Sequence, residues 1–203
     1  MRCGRSNGKI PPPSVAFDID SVIADTMTLF LDIARDEFGI EGIGYEDLTA
    51  YDLSECLKID GSVIGQIVNR IQDGGYATAL KPIQGAPEIL GKISECHSPI
   101  LFVTARPHPG PIRGWIEERL LLPSSGIEIV ATGSCDAKVN VLLERGISYF
   151  VEDRLETCYE LHAAGITPIL FKQPWNRCRH PFTEVGNWQE LEALIDLKRP
   201  AGR

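Results

Sequence analysis

Two aspartates one residue apart, Asp18 and Asp20, follow the apolar stretch Val15, Ala16, Phe17 and precede the small, turn-forming Ser21. In an extended chain, side chains two residues apart point to the same side, so the two carboxylates are presented together. With twelve aspartates in 203 residues, one such pair arises by coincidence, and an aspartate there could equally cap a following helix. Three later positions change that reading. Thr104, Ala105 and Arg106 follow the run 100–103, Lys138 comes shortly after the run 127–131, and Glu152 with Asp153 follows the run 147–151. Singly, these residues read as a helix cap, a solvated charge and an acidic pair favoured by a helix dipole. A carboxylate, a hydroxyl, a lysine and an acidic pair, each at the end of an apolar run, are together the parts of a reactive site.

The chemistry those parts suit is phosphoryl transfer. Asp18, with an ordinary pKa of about 3.9, is ionised at neutral pH and can attack phosphorus to form an aspartyl-phosphate. Two anions must meet for that, and a hard divalent cation removes the repulsion; Mg2+ suits one or two carboxylates plus phosphate oxygen and water. Asp18 and Asp153 are the expected ligands, with Glu152 supporting them. Lys138, the Thr104 hydroxyl and backbone N–H groups such as that of Ala105 would hold the equatorial phosphate oxygens. Asp20 would protonate the leaving oxygen and then deprotonate water. That role needs a raised pKa, expected from the like charge of Asp18 and from closure of the site.

The elements that position these groups follow from periodicity. The runs 15–19, 100–103, 127–131, 147–151 and 167–171 have the length of buried strands. Between them, 86–96, 112–121, 137–144, 155–164 and 188–197 repeat apolar residues at helical spacing. Alternation of this kind predicts an α/β fold, a three-layer sandwich around a parallel, Rossmann-like sheet whose strand ends carry the site. Roughly 60 residues separate the first strand from the helix before the second, more than one crossover needs. Two helical stretches, 25–38 and 61–71, fill that gap and predict a small inserted helical cap. The expected organisation is a core of residues 14–24 plus 81–198, a cap of residues 25–80, and tails at 1–13 and 199–203.

Composition sets outer bounds. A 43% hydrophobic, 24% charged chain of mean hydropathy −0.04 builds an ordinary globular core. Net charge −8 and a pI near 5.0 argue against nucleic acid polymers and anionic membranes as partners. A small phosphorylated metabolite fits instead, held by local positive groups. Six cysteines without zinc-like spacing, and no apolar run of membrane-spanning length, predict free thiols in the cytoplasm.

At this point the sequence resembles the haloacid dehalogenase-like (HAD) superfamily of phosphatases. The matching stretches are FDIDSV at Asp18 and Asp20, VTARP at Thr104, the lone Lys138, and VEDR at Glu152 and Asp153. Their order and spacing agree over residues 14–171, and the insert sits where that superfamily carries its first cap type, C1. The resemblance implies Asp18 as nucleophile, Asp20 as acid and base, and Mg2+ held by Asp18, Asp153 and the backbone carbonyl of Asp20. The second aspartate is absent from the dehalogenases, so its presence implies phosphate ester hydrolysis.

Within the superfamily the chain is most similar to the cytosolic 5'(3')-deoxyribonucleotidase type, through IQGAPEIL before the second strand, QPWNR at 173–177 and NWQEL at 187–191. That similarity implies a nucleotide substrate; the neighbouring alternative is a phosphatase for a sugar phosphate or phosphoglycolate. Arg106 departs from the Ser-Pro of the animal nucleotidases and adds a charge near the phosphate. A base would need walls from Phe30, Tyr45, Tyr51 or Tyr76, although aromatics of a cap more often form its core. Trp175, Asn176 and Arg177 lie just past the fifth strand, where they could brace the loop at Glu152 and Asp153, but the favoured reading is that Trp175 and Trp188 cover the sheet edge; Cys178 with His180 reads as no metal site. A signalling receiver domain shares the groups but presents its acidic pair first and its acceptor aspartate at the third strand, the reverse of the order here.

Overall fold

A computed structural model describes residues 8–198. Among these residues the apolar runs form an all-parallel sheet of β1 (Val15–Phe17), β2 (Ile100–Thr104), β3 (Ile127–Ala131), β4 (Tyr149–Glu152), β5 (Thr167–Phe171) and β6 (Thr183–Val185), in the order β3-β2-β1-β4-β5-β6. β1 lies inside the sheet, with Phe17 paired to Phe102 on one side and to Val151 on the other. The chain builds outward from β1 to β3, then crosses back to start again at β4. The order therefore reverses beside β1, and the crevice at the carboxyl ends of β1 and β4 is where such sheets bind ligands.

Helices α4 (Ala86–Cys96) and α5 (Gly110–Arg119) make the outward crossovers; α6 (Lys138–Glu144) and α7 (Leu155–Ala163) serve the return. Right-handed connections place helices of the two directions on opposite faces, and the core shows it. Phe17, Phe102, Val151 and Ile169 pack with α4, α5 and α8 (Trp188–Leu194). Ala16, Leu101, Val103 and Phe150 pack with Leu142 of α6 and Leu161 of α7. Neighbouring residues along one strand thus bury opposite sides, which is why these strands read as continuous apolar runs.

The three-layer α/β sandwich expected from sequence is present, with two local differences. β6 extends the sheet edge; its Thr183 and Glu184 are exposed and Val185 alone is buried, so it makes no apolar run. β1 ends at Phe17, although the Asp18 N–H still donates to Val151 O at 2.9 Å.

Between β1 and α4 lie α1 (Thr26–Phe38), a single turn at Tyr45–Asp47, α2 (Leu53–Cys56) and α3 (Gly61–Asp73). Aspartates start all three helices: Asp25 accepts from the Thr28 N–H, Asp52 from Ser54 and Asp60 from Ser62. Gly39 and Gly74, left-handed at φ 67° and 73°, end α1 and α3. α1 and α3 pack on each other through buried Leu29, Phe30, Ile33, Ile67 and Ile71.

Part of the stretch read as an N-terminal tail is placed. Ile10 is buried, its N–H donates to Leu194 O, and its carbonyl accepts from Asp196, both at 2.8 Å. The apolar side chain gains more by covering the end of α8 than by staying in water. Residues 1–7 and 199–203 of the expected tails lie outside the described residues, as does Cys3. Cys56, Cys96, Cys135, Cys158 and Cys178 are free thiols. Among the described residues no helix is long and apolar enough to cross a membrane.

Candidate active site

The strand ends bring the singled-out residues to one place. Asp18 follows β1, Thr104 ends β2, Glu152 ends β4 with Asp153 next, and Lys138 opens α6 beyond β3. All five are buried. Lys138 Nζ lies 2.9 Å from Asp18 Oδ1 and 2.8 Å from Glu152 Oε2. Glu152 spends its other oxygen, Oε1, on the backbone N–H groups of Asp153 and Arg154, each at 3.1 Å. It is thereby fixed as the anchor of the lysine.

Asp18, Glu152 and Asp153 each offer a carboxylate oxygen within 4.8 Å of the others. Burial pushes Asp18 up to about 7, with Glu152 and Asp20 adding to the rise and Lys138 opposing it. Asp153 is held well above the usual carboxylate range by burial, then by Glu152 and Asp18. Burial disfavours the Lys138 ammonium too, but Asp18 and Glu152 outweigh it and keep the lysine charged. One lysine therefore faces three buried carboxylates, an all-oxygen donor set short of positive charge. That fits a hard divalent cation. Among the described residues no other set of three His, Cys, Asp or Glu side chains is close enough to hold one; His180 instead meets Glu184, at 3.2 Å.

A stability prediction follows. Between pH 4 and 7 Asp18 binds a proton in the folded chain that it has lost in the unfolded chain, so stability falls as pH rises through that window. Each unit of upward shift costs about 1.4 kcal/mol above the folded pKa. Cation-free protein should melt higher at pH 5 than at pH 8, and saturating Mg2+ or Ca2+ should close the gap. Equal melting temperatures at both pH values in the presence of a chelator would contradict this charge balance.

Asp20 differs from its expected state. Burial pushes its carboxyl up, but Arg106 and hydrogen bonds from Arg106 and Thr26 outweigh burial and lower it. Arg106 Nη2 lies 2.7 Å from Oδ1 and Nε 3.0 Å from Oδ2, while the Thr26 hydroxyl donates to Oδ1 at 2.7 Å. The expectation of a raised pKa considered Asp18 and closure but not a bidentate guanidinium, the strongest carboxylate partner available. Arg106 is itself buried, and its Nη1 donates to Ile71 O in the last turn of α3 at 3.0 Å, where the helix dipole favours a cation. Arg106 is therefore engaged with Asp20 and α3. The Thr104 hydroxyl accepts from the Arg106 N–H at 3.2 Å and sits 3.5 Å from Asp20 Oδ2.

Above these groups is a cavity of about 520 Å3. Asp18, Asp20, Ala105, Arg106 and Asp153 line its base, and Met27, Leu53, Ile64, Val68 and Ile71 its apolar side, with Asp52 and Gln72 as polar exceptions. Of the four aromatics considered from sequence, Tyr51 reaches this cavity, its ring 4.9 Å from the Arg154 guanidinium. Phe30 is fully buried core.

Of the two readings of 173–177, bracing of the loop after β4 is the one that the contacts support. Trp175 lines the cavity, and its indole N–H donates to Asp153 Oδ2 at 3.0 Å. Asn176 Nδ2 donates to the Asp153 carbonyl at 2.8 Å and to Phe171 O at 2.9 Å. Both therefore hold the loop after β4. Their position just past β5, the neighbour of β4, is what allowed that reading from the sequence. Trp188, expected to cover the sheet edge, is instead fully buried on the face of the sheet, its ring stacked 5.7 Å from Phe17 of the interior strand β1.

Comparisons with known proteins bear on the family and the fold. The model of the family described as "5' nucleotidase, deoxy (Pyrimidine), cytosolic type C protein" matches residues 12–200. The 5'(3')-deoxyribonucleotidase of Bacillus subtilis (strain 168) is 22% identical over 188 residues, spanning 89% of this chain and 97% of its own. Among solved structures, a HAD-superfamily hydrolase from Ehrlichia chaffeensis aligns with TM-score 0.52 and 18% identity over 93% of this chain and 97% of its own. A putative phosphoglycolate phosphatase from Lactobacillus delbrueckii subsp. bulgaricus aligns with TM-score 0.62 and 13% identity over 92% and 99%. These two likenesses establish the HAD-like fold.

Proposed function

Since the chain belongs to the cytosolic type C 5' nucleotidase family, we propose that it is a Mg2+-dependent 5'-nucleotidase acting on (deoxy)nucleoside monophosphates through an aspartyl-phosphate on Asp18. The observation that carries this reading is Lys138 bridging Asp18 and Glu152 beside Asp153, with Asp18 and Asp153 lining the floor of a cavity that has an apolar side. The phosphate belongs on the floor and the base against Met27, Leu53, Ile64 and Val68, under a cap made of α1, α2 and α3. Free cysteines support a reducing, cytoplasmic setting.

The mechanism runs on the chain's own groups. Asp18 attacks phosphorus, the bond to the ester oxygen breaks, and that oxygen takes a proton from Asp20. Asp20 then removes a proton from water, which attacks the aspartyl-phosphate to free inorganic phosphate and Asp18. Lys138, the Thr104 hydroxyl and the Ala105 N–H hold the equatorial oxygens. Asp18, Asp153 and the Asp20 carbonyl would hold Mg2+, which offsets the repulsion between carboxylate and phosphate. As placed here Asp20 is ionised and suited to the base step. For the acid step Asp20 first takes the proton that a monoanionic substrate carries, the second pKa of a phosphate monoester being near 6, and passes that proton to the ester oxygen.

The deciding experiment is a phosphate-release screen with deoxynucleoside and nucleoside monophosphates, sugar phosphates and phosphoglycolate, with Mg2+ and with a chelator. The best nucleotide should exceed the other esters by about tenfold or more in kcat/KM, and chelation should abolish turnover. If no nucleotide stands out, the nucleotide assignment is wrong and a metabolite phosphatase remains.

A further inference from the structure

Asp20 is held through its carboxylate by Arg106, but the peptide that follows it is held separately. Ser21 has φ 60°, a left-handed conformation that a non-glycine residue keeps only when its surroundings impose it. Two hydrogen bonds do so: the Ser21 N–H donates to Ala24 O at 2.8 Å, and Gln173 Nε2 donates to Ser21 O at 2.6 Å. A carbonyl only accepts, so the amide of Gln173 must turn its nitrogen to Ser21 and its oxygen outward. That oxygen, Oε1, accepts from the Tyr45 hydroxyl at 2.8 Å. Tyr45 belongs to the turn between α1 and α2, in the helical insert. Gln173 is itself fixed, 6% exposed, with its N–H donating to Asn176 Oδ1 at 2.9 Å.

One buried amide thus joins the helical insert to the carbonyl of Ser21, the left-handed residue directly after Asp20. We propose that Gln173 is a positioning residue for Asp20, and that through Tyr45 it makes the seating of the helical insert a condition for proton transfer to the leaving group. This inference rests on the acid role assigned to Asp20 above. With Tyr45 engaged, the amide is pinned at both ends and Ser21 is held in its left-handed state. With Tyr45 withdrawn, one end is free and the hold on Ser21 loosens, so the Asp20 backbone is less firmly set although Arg106 still grips its carboxylate. A misplacement on the order of 1 Å at a reacting group reduces rate by as much as about a hundredfold.

The test compares kcat/KM on a nucleoside 5'-monophosphate, whose alkoxide leaving group needs a proton, with 4-nitrophenyl phosphate, whose leaving group does not. Gln173→Met keeps the volume and removes both hydrogen bonds. It should lower the nucleotide value about tenfold and the nitrophenyl value no more than about twofold. Tyr45→Phe, which leaves the Ser21 bond in place, should shift the ratio the same way by a smaller factor, and it carries the test if Gln173→Met does not fold. In an Asp20→Asn background Gln173→Met should add no further loss, because residues acting as a unit are not additive. Equal losses on both esters, an unchanged ratio in Tyr45→Phe, or full additivity with Asp20→Asn would overturn the proposal. If Asp20→Asn alone leaves the ester preference unchanged, the acid role of Asp20 is what fails, a different result from any of these.

Discussion

Asp18→Asn protein should release phosphate from every ester at least about a thousandfold more slowly than wild type, a loss of the size that follows removal of a nucleophile. The substitution keeps the shape of the side chain and removes its charge and nucleophilic oxygen. Because Asp18 lies 2.9 Å from Lys138, inactivity could also reflect a collapsed charge cluster, and stability separates the two causes. Burial makes an ionised Asp18 unfavourable, so the neutral amide should leave cation-free protein at pH 8 as stable as wild type or a few degrees more so. At this chain length a gain of about 1 kcal/mol raises the melting temperature by about 2–4 °C. An inactive variant that melts at or above the wild-type temperature has lost its nucleophile and kept its fold. Activity above a tenth of wild type would remove Asp18 from the mechanism.

Much of this site was readable because the fold forces its parts into chain order. A parallel sheet puts all its carboxyl ends on one side, so Asp18, Thr104 and Asp153, each just past an apolar run, had to share that side; they meet because β1 lies between β2 and β4, an order that periodicity does not give. Helix α4 was equally plain: Ala86, Ile89, Leu90 and Ile93 form one buried face. Periodicity carried no information on partners fixed by tertiary contact. The ionisation of Asp20 depends on Arg106, 86 residues away in sequence, and nothing local announces that the guanidinium turns to Asp20 and Ile71 rather than to solvent. Trp175 looked like a sheet cover because indole rings usually are; its role shows only in where its N–H points. β6 was missed for the opposite reason, since an exposed edge strand needs no apolar run. The apolar side of the cavity mixes residues from α1, α2 and α3, so its composition depends on how the three helices pack.

Lys138 invites the most demanding substitution, Lys138→Met. Methionine fills the space of the alkyl stem and removes the ammonium. Lys138 is almost completely buried between Asp18 and Glu152, and breaking such a contact from one side leaves the partner charges uncompensated, at about 3–5 kcal/mol. At pH 8 without cation the variant should melt roughly 10 °C below wild type. Two conditions should reverse much of that loss. At pH 5 Asp18 and Asp153, already pushed upward by burial and now without the opposing lysine, take up protons in the folded chain, so the deficit shrinks as pH falls. Saturating Mg2+ or Ca2+ replaces the missing positive charge and should shrink it as well. Activity should not return with stability, because no group then faces the equatorial oxygens from the α6 side, a loss of about a hundredfold or more in kcat. A deficit that is the same at pH 5 and pH 8 and indifferent to cations would mean that Lys138 acts by packing alone, and the charge balance that makes these three carboxylates a cation site would have to be abandoned.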